Sequence, residues 1–220
     1  VSYEWHWEVL WQSLPILLEG VRITVLASLI TMIAALMLGL VVALARITGG
    51  PLGALAYAYV EFFRNSPQLM VVVWVFTALP LLTGITLSPL LSGVVALTLN
   101  VAAFIAEVYR AGITSIPVGQ AQAALALGMT RSQLYRRVLL PQAVARVIPP
   151  LGSYWVSLFK DTSLLAVIGV AELMYQGRLV ATDTYRPLEI LTGVAIIYYV
   201  LAYPQALAVN FLYRRFHVQE

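Results

Sequence analysis

The chain has 220 residues, of which 61% are hydrophobic and 10% charged, and its mean hydropathy is +0.87. Soluble domains carry about 25% charged residues, so this composition, with its long uncharged runs, assigns the chain to the membrane class. There is no cysteine, which excludes disulfides and thiolate metal sites, and the two histidines, His6 and His217, lie near opposite ends, so no local histidine metal cluster is expected. No GxxxxGK[ST] stretch occurs and the single lysine, Lys160, follows no glycine-rich loop, so the chain is not expected to bind ATP in a P-loop of its own.

In chain order, Glu4 and Glu8 stand where a secretory signal would carry its basic region. Val1 leaves the native start open. Trp5, Trp7 and Trp11 suit an aromatic belt at a membrane surface. A spanning helix needs about 20 apolar residues, and residues 23–45, bracketed by Arg22 and Arg46, supply the first. Residues 54–63 are apolar but short, and read as a helix lying at the interface or partly entering it. No charge occurs from Asn65 to Ala106, which leaves room for spans at 67–83 and 89–109 around a turn marked by Pro80, Gly84 and Pro89. A fourth span covers 147–171, interrupted by Lys160-Asp161, and a fifth covers 190–213. The expectation is an all-α membrane protein with five transmembrane helices in a single domain, 1–220.

Five spans put Arg46, Arg110, Arg131, Arg136, Arg137, Arg146, Arg214 and Arg215 on one side. That side is therefore cytoplasmic, with the N-terminus outside and the C-terminus inside. The stretch 110–146 becomes a cytoplasmic loop. Within it, Pro117 suits a helix start, the alanines and leucines of 121–127 favour helix, and Gly128 is a natural left-handed stop. Thr130-Arg131-Ser132-Gln133 reads as a capping box opening a second helix, with Met129 and Leu134 at the staple positions, and Pro141 closing the unit. Two readings of this helix–glycine–helix knob stand side by side: a connector between two spans, or a rigid piece that presents small residues to a partner.

Mid-span charges are expensive and usually functional. Asp161, Thr162 and Ser163 are good N-cap residues, so one reading of Lys160-Asp161-Thr162-Ser163 is a broken helix whose second half starts there, its N-terminus facing the substrate pathway. The other is a structural ion pair with neighbouring helices. Arg64-Asn65-Ser66-Pro67 is a second break, because Pro67 disfavours helix at Ser66; freed carbonyls with Asn65, Ser66 and Gln68 would line a cavity. Glu61 and Arg64 are spaced for a local ion pair instead. Glu107 and Arg110 repeat that spacing and read as a snorkelling pair.

Gly119-Gln120, then Gln122-Ala123-Ala124, Gly128 and Leu140-Pro141 resemble the EAA loop of ABC importer permeases. "LPILLEGVRIT", "FFRNSPQLMVVVW", "PQAVARVIPPLGSYWVSLFKDTSL" and "YRPLE" resemble the polar amino-acid subfamily over nearly the whole chain, and "ALALGMT" and "LMVVVW" are similar to glutamate/aspartate permease subunits. The resemblance implies a type I ABC importer fold and a permease subunit, itself non-catalytic, in a bacterial inner membrane. It implies ATPase coupling through Gly119, Gln120, Gln122, Ala123, Ala124, Gly128, Arg131 and Pro141, and ATP and Mg bound by the partner ATPase. A second permease subunit (identical or related), an extracytoplasmic solute-binding protein and an amino-acid substrate are implied as further partners; nucleic acid is not. One departure is visible: Gln122 stands where the family carries an acid. A channel or passive carrier without an ATPase accounts for the spans but gives the knob no role. An intramembrane enzyme would have only Ser157 or Ser163 with Lys160 for its chemistry.

Overall fold

The computed structural model describes residues 3–216, with side chains described through Arg214; Val1, His217 and the side chain of Arg215 lie outside them. Helix α1 runs Glu8–Thr48, with Glu8 in its first turn and Arg46 in its last, the signs that complement the helix dipole. Its 41 residues extend about 60 Å at the α-helical rise, twice the hydrocarbon thickness of a bilayer. The first expected span, 23–45, is therefore only the second part of a longer helix. Gly49 and Gly50 turn the chain with positive φ into α2 (Gly50–Asn65), which absorbs the short apolar stretch 54–63. Ser66 and Pro67 break the helix, α3 follows (Gln68–Thr83), and Gly84 ends it in the left-handed region at φ 72. Helix α4 spans Pro89–Thr114.

The next elements are α5 (Val118–Ala126) and α6 (Arg131–Leu134). Helix does not stop at Pro141. A π-helical turn, Tyr135–Leu139, leads straight into α7 (Leu140–Asp161), with Pro141 near the start of that helix. Proline has no N–H for an i−4 carbonyl and its ring clashes with that carbonyl. The wider π turn, in which the Leu140 N–H meets the Tyr135 carbonyl, gives the clash room. The expectation that Pro141 closes the unit is thus overturned.

A second expectation changes at Asp161. No new helix begins there. Asp161 has helical dihedrals (φ −68, ψ −17) and makes no capping hydrogen bond, and the chain tightens into a 3₁₀ helix, Thr162–Ile168. Thr162 Oγ1 donates backward to the Phe159 carbonyl at 2.8 Å rather than accepting from the next turn. Gly169, at φ 81, ends the run. Helices α8 (Leu173–Thr184) and α9 (Pro187–Phe216) complete the chain. Three helices, Glu8–Thr48, Pro89–Thr114 and Pro187–Arg214, are each long and apolar enough to cross a membrane. The number rises to five if the bent pairs Gly50–Asn65 with Gln68–Thr83 and Arg131–Ile168 with Leu173–Thr184 each count as one.

The chain divides into two compact units, one of residues 1–33, 66–99 and 155–205, the other of 34–65, 100–154 and 206–220. The first has a core of Leu17, Leu173 and Val194, joined by Leu10, Val21, Met174, Ile197 and Tyr198. The residues ahead of the first expected span are thus core-forming. The second is centred on Ala43, Val60 and Ala106, packed by Val42, Tyr59 and Tyr109. Small residues set the helix spacing, as is usual where lipid competes with apolar side chains.

One such approach in the first unit is to backbone. A Cβ added at Gly20 would lie 2.8 Å from the Leu173 Cα, an atom that cannot rotate away. Gly20→Ala is expected to destabilise the protein by about 1–3 kcal/mol, the usual cost of overpacking. A thermal melt in detergent checks this, and an unchanged midpoint refutes it.

Candidate functional site

The α5–α6 knob belongs to the second unit. Helix α5 ends in a Schellman motif: the Gly128 N–H meets the Leu125 carbonyl at 3.0 Å and the Met129 N–H meets the Ala124 carbonyl at 3.2 Å. Gly128 makes this possible with φ 77. Thr130 then caps α6 as expected. Its Oγ1 accepts from the Gln133 N–H (3.3 Å) while Gln133 Oε1 accepts from the Thr130 N–H (2.9 Å), a reciprocal capping box. At the base of the knob, Arg146 Nη1 donates to Ser115 Oγ at 2.7 Å, tying α7 to the residue just past α4.

Gly119, Gln120, Gln122, Ala123, Gly128, Arg131 and Pro141 are all exposed. Val118, Gln122 and Leu125 lie on one face of α5 at helical spacing, and Val118 and Leu127 are 72% and 79% exposed. That is an apolar, alanine-lined surface left uncovered by the described residues. Ala124 departs from the expected contact set. It is buried, on the side of α5 that packs against α6 and the π turn, so its small size serves the knob's own packing rather than a partner.

In the same unit, the end of α2 is held by one stripe of α4. Pro67 has no N–H to offer the Phe63 carbonyl four residues before it. Asn100, itself buried, donates its Nδ2 to that carbonyl at 2.9 Å. One turn along, the Arg64 guanidinium lies over the Phe104 ring, 5.7 Å from its centroid. A further turn along, Glu107 accepts from Arg46 Nη1 at 2.5 Å and from Arg110. The expected Glu107–Arg110 pair forms, and Arg46 of α1 joins it across helices, its side chain only 13% exposed. The Glu61–Arg64 ion pair does not form: Glu61 accepts from Asn65 Nδ2 through its carbonyl oxygen, at 2.7 Å, and through Oε2, at 3.4 Å. Arg64 and Asn65 are exposed at the break.

In the first unit, α3 packs against the 3₁₀ helix, which brings Gln68 alongside the Asp161 carboxylate. The Gln68 Nε2 is buried, with the Asp161 carboxylate as its polar neighbour. Asp161, Ser66 and Ser163 are half-buried, Thr162 is buried, and Lys160 and Ser157 are exposed on α7. Lys160 forms no ion pair with another helix among the described residues. It acts on its neighbour Asp161 only through its field.

Sequence reading passed over the most buried charges of all. Glu172 is fully buried at the N-cap of α8, where its Oε1 accepts from the Tyr175 N–H at 2.8 Å. Its Oε2 accepts from the Tyr198 hydroxyl at 2.6 Å and from Thr24 Oγ1 at 3.5 Å. Thr24 Oγ1 also accepts from the Leu173 N–H. Glu189, equally buried, accepts from the Tyr3 hydroxyl at 2.6 Å and the His6 N–H at 3.0 Å. Glu189 also pairs with Arg186, three residues before it, at 3.8 Å; apart from that pair and the Tyr175 N–H, the partners lie outside helical reach in sequence.

The described residues thus form helices sufficient for several membrane crossings and one exposed helix–glycine–helix knob. Residues 35–218 match the family described as binding-protein-dependent transport system inner membrane component, and the chain belongs to it. It is 36% identical over 214 residues to the glutamine transport system permease protein GlnP of Escherichia coli (strain K12), with 96% of each chain covered. It is 41% identical to the probable glutamine ABC transporter permease protein GlnM of Bacillus subtilis (strain 168), covering 94% of this chain and 96% of that one. Among solved structures it is similar to a chain in the crystal structure of an amino acid ABC transporter with histidines, at a TM-score of 0.90 and 28% identity, covering 97% of this chain and 100% of that one.

The capping box gives the knob a measurable stiffness. Thr130→Ala is expected to cost about 1 kcal/mol and to speed amide hydrogen exchange at Arg131–Gln133. Exchange as slow as in the wild type would show that the box does not hold the knob.

Proposed function

We propose that this chain is the permease subunit of a binding-protein-dependent ABC importer for polar amino acids. The observation that carries this is full-length similarity to amino-acid permeases combined with an exposed, doubly capped knob that this chain's own packing does not need. In this reading the protein sits in a bacterial inner membrane with five spans, at 23–45, 67–83, 89–109, 147–171 and 190–213. Its N-terminus is outside and its C-terminus cytoplasmic, as the arginines favour.

Two such permease subunits, identical or related, form the pathway, and each lays its knob on an ATPase subunit that binds ATP and Mg. An extracytoplasmic solute-binding protein delivers the amino acid. Gly119, Gln120, Gln122, Ala123, Gly128 and Arg131 form the ATPase contact, with Val118, Leu125 and Leu127 as its apolar centre and Pro141 at its exposed base. Gln122 offers that contact a neutral amide where the family carries a carboxylate, so the grip relies on shape and apolar area more than on charge. Movement of the ATPases is transmitted because the Schellman motif and capping box leave the knob no soft joint.

In the pathway, an amino acid presents an ammonium and a carboxylate. Asp161 suits the first, and Lys160, exposed on α7, suits the second. The buried Gln68 Nε2 beside Asp161 offers a further donor, with Thr162, Ser163 and Ser66 of the same unit, and Asn65 and Arg64 of the second unit are separate pathway candidates. The two relatives described above are glutamine permeases by name, so glutamine is the first substrate to test, ahead of glutamate and aspartate.

The direct test is purification from membranes with the neighbouring transport components. The expected result is an ATPase retained in detergent whose turnover rises with the binding protein and an amino acid. A chain that moves solute without any ATPase overturns the reading.

Two variants test the assignments. Gly128→Val forces a β-branched residue into the left-handed region, at a cost of about 1–2 kcal/mol, and pushes bulk into the contact. Uptake is expected to fall at least tenfold while the complex still assembles, and normal uptake would sink the coupling role. Asp161→Asn keeps the volume and removes the charge, so the half-saturation concentration for uptake should rise several-fold with assembly intact. Unchanged uptake kinetics would remove Asp161 from the list of substrate ligands.

A further inference from the structure

We infer that Asn100 is a positioning residue for transport: its side-chain amide holds the helix break at residues 65–67 by standing in for the N–H that Pro67 lacks. A helix interrupted by proline leaves a carbonyl without its i+4 partner, and in an apolar surrounding that carbonyl must be met by another group. Here the carbonyl is that of Phe63, and Asn100 Nδ2 meets it at 2.9 Å from α4. Asn100 is 3% exposed, so water does not compete for the bond.

Two further contacts on the same α4 stripe support the assignment. Phe104, one turn after Asn100, carries the Arg64 guanidinium on its ring. Glu107, one turn further, places a carboxylate whose field reaches Arg64. Carbonyl and side chain at the end of α2 are therefore both gripped from α4, and Asn100 is the member that bonds the backbone. Its reach is what fixes the direction in which Arg64 and Asn65 leave the helix. A residue that only filled space would need no amide, and leucine offers the same branched shape with the same number of side-chain heavy atoms and no polar atom.

The inference rests on the permease reading, since it assigns the break a role in transport. Its test therefore has two arms on the assembled complex. Asn100→Leu removes both amide groups, and Asn100→Asp keeps the volume but replaces the donor with an acceptor. The first arm measures amino-acid uptake. Both variants are expected to raise the half-saturation concentration at least tenfold, with a smaller change in maximal rate. A fall in maximal rate alone, which a purely structural residue would produce, overturns the inference.

The second arm uses the absence of native cysteine. Spin labels at Leu55→Cys and Met70→Cys, both exposed, report the break without reference to transport. In the Asn100 variants the distribution of their separation should broaden and shift relative to the wild type, because the break loses its hold while Pro67 still prevents a continuous helix. An unchanged separation overturns the inference. Should the chain prove not to serve amino-acid import, the wild type itself fails the first arm while the second still reads the break, so the two failures are distinguishable.

Discussion

Thr24 on α1, Tyr198 on α9 and the first turn of α8 all donate to a single buried carboxylate, that of Glu172. In a chain this apolar, greasy contact alone does not decide which helices meet, because lipid tails offer the same contact. A buried carboxyl group is different. Leaving it unmet costs about 1–3 kcal/mol, so every competing arrangement that strands it is disfavoured. All of its partners among the described residues are donors and no cation is among them, so hydrogen bonds alone offset the cost of its burial. The fit of Gly20 against Leu173 and the packing of Leu17 with Val194 are then consequences of where that carboxylate sits.

The second unit uses the opposite solution. Glu107 has cations for partners, Arg46 from α1 and Arg110 from its own helix. Together with Phe104 and Asn100 it makes α4 the organising helix of that unit. These residues mark the two ways a membrane helix bundle can specify its neighbours: neutral donors around a buried carboxyl group where no water reaches, and paired charges where some does. The side chains of the Glu107 cluster are between 13% and 35% exposed, whereas Glu172 is not exposed at all.

The local features were legible in advance, and for a physical reason. The Gly128 stop, the Thr130–Gln133 box and the Pro67 break depend on residues within one or two helical turns, and backbone chemistry is the same wherever such a stretch occurs. The features that depend on distant partners were not legible. Nothing near Glu172 hints at Tyr198, 26 positions away, and the i,i+3 spacing of Glu61 with Arg64 invited a pair that Phe104 pre-empts. Pro141 misled for another reason. A proline usually ends a helix, but one wider turn absorbs it, and the sequence carries no strong sign of which will happen. At Asp161 the capping preference was real, yet packing of α3 against the 3₁₀ segment favoured continuing the helix in a tighter form.

That wider turn has a consequence for how the chain tolerates length change. In the π segment Tyr135–Leu139, the backbone accommodates one residue more than an α-helical path would. Each residue of helix contributes about 100° of rotation, so the heading of everything before the turn is counted, residue by residue, from α7. Deleting a single position there returns the path to ordinary α-helix and leaves the exposed face of α5 pointing as before, whereas the same deletion in the uninterrupted part of α7 swings that face through more than a quarter circle. The knob is thus a phase as much as a surface. Substitutions across its face alter the strength of a contact, whereas a length change that the wide turn does not absorb alters which way the contact points.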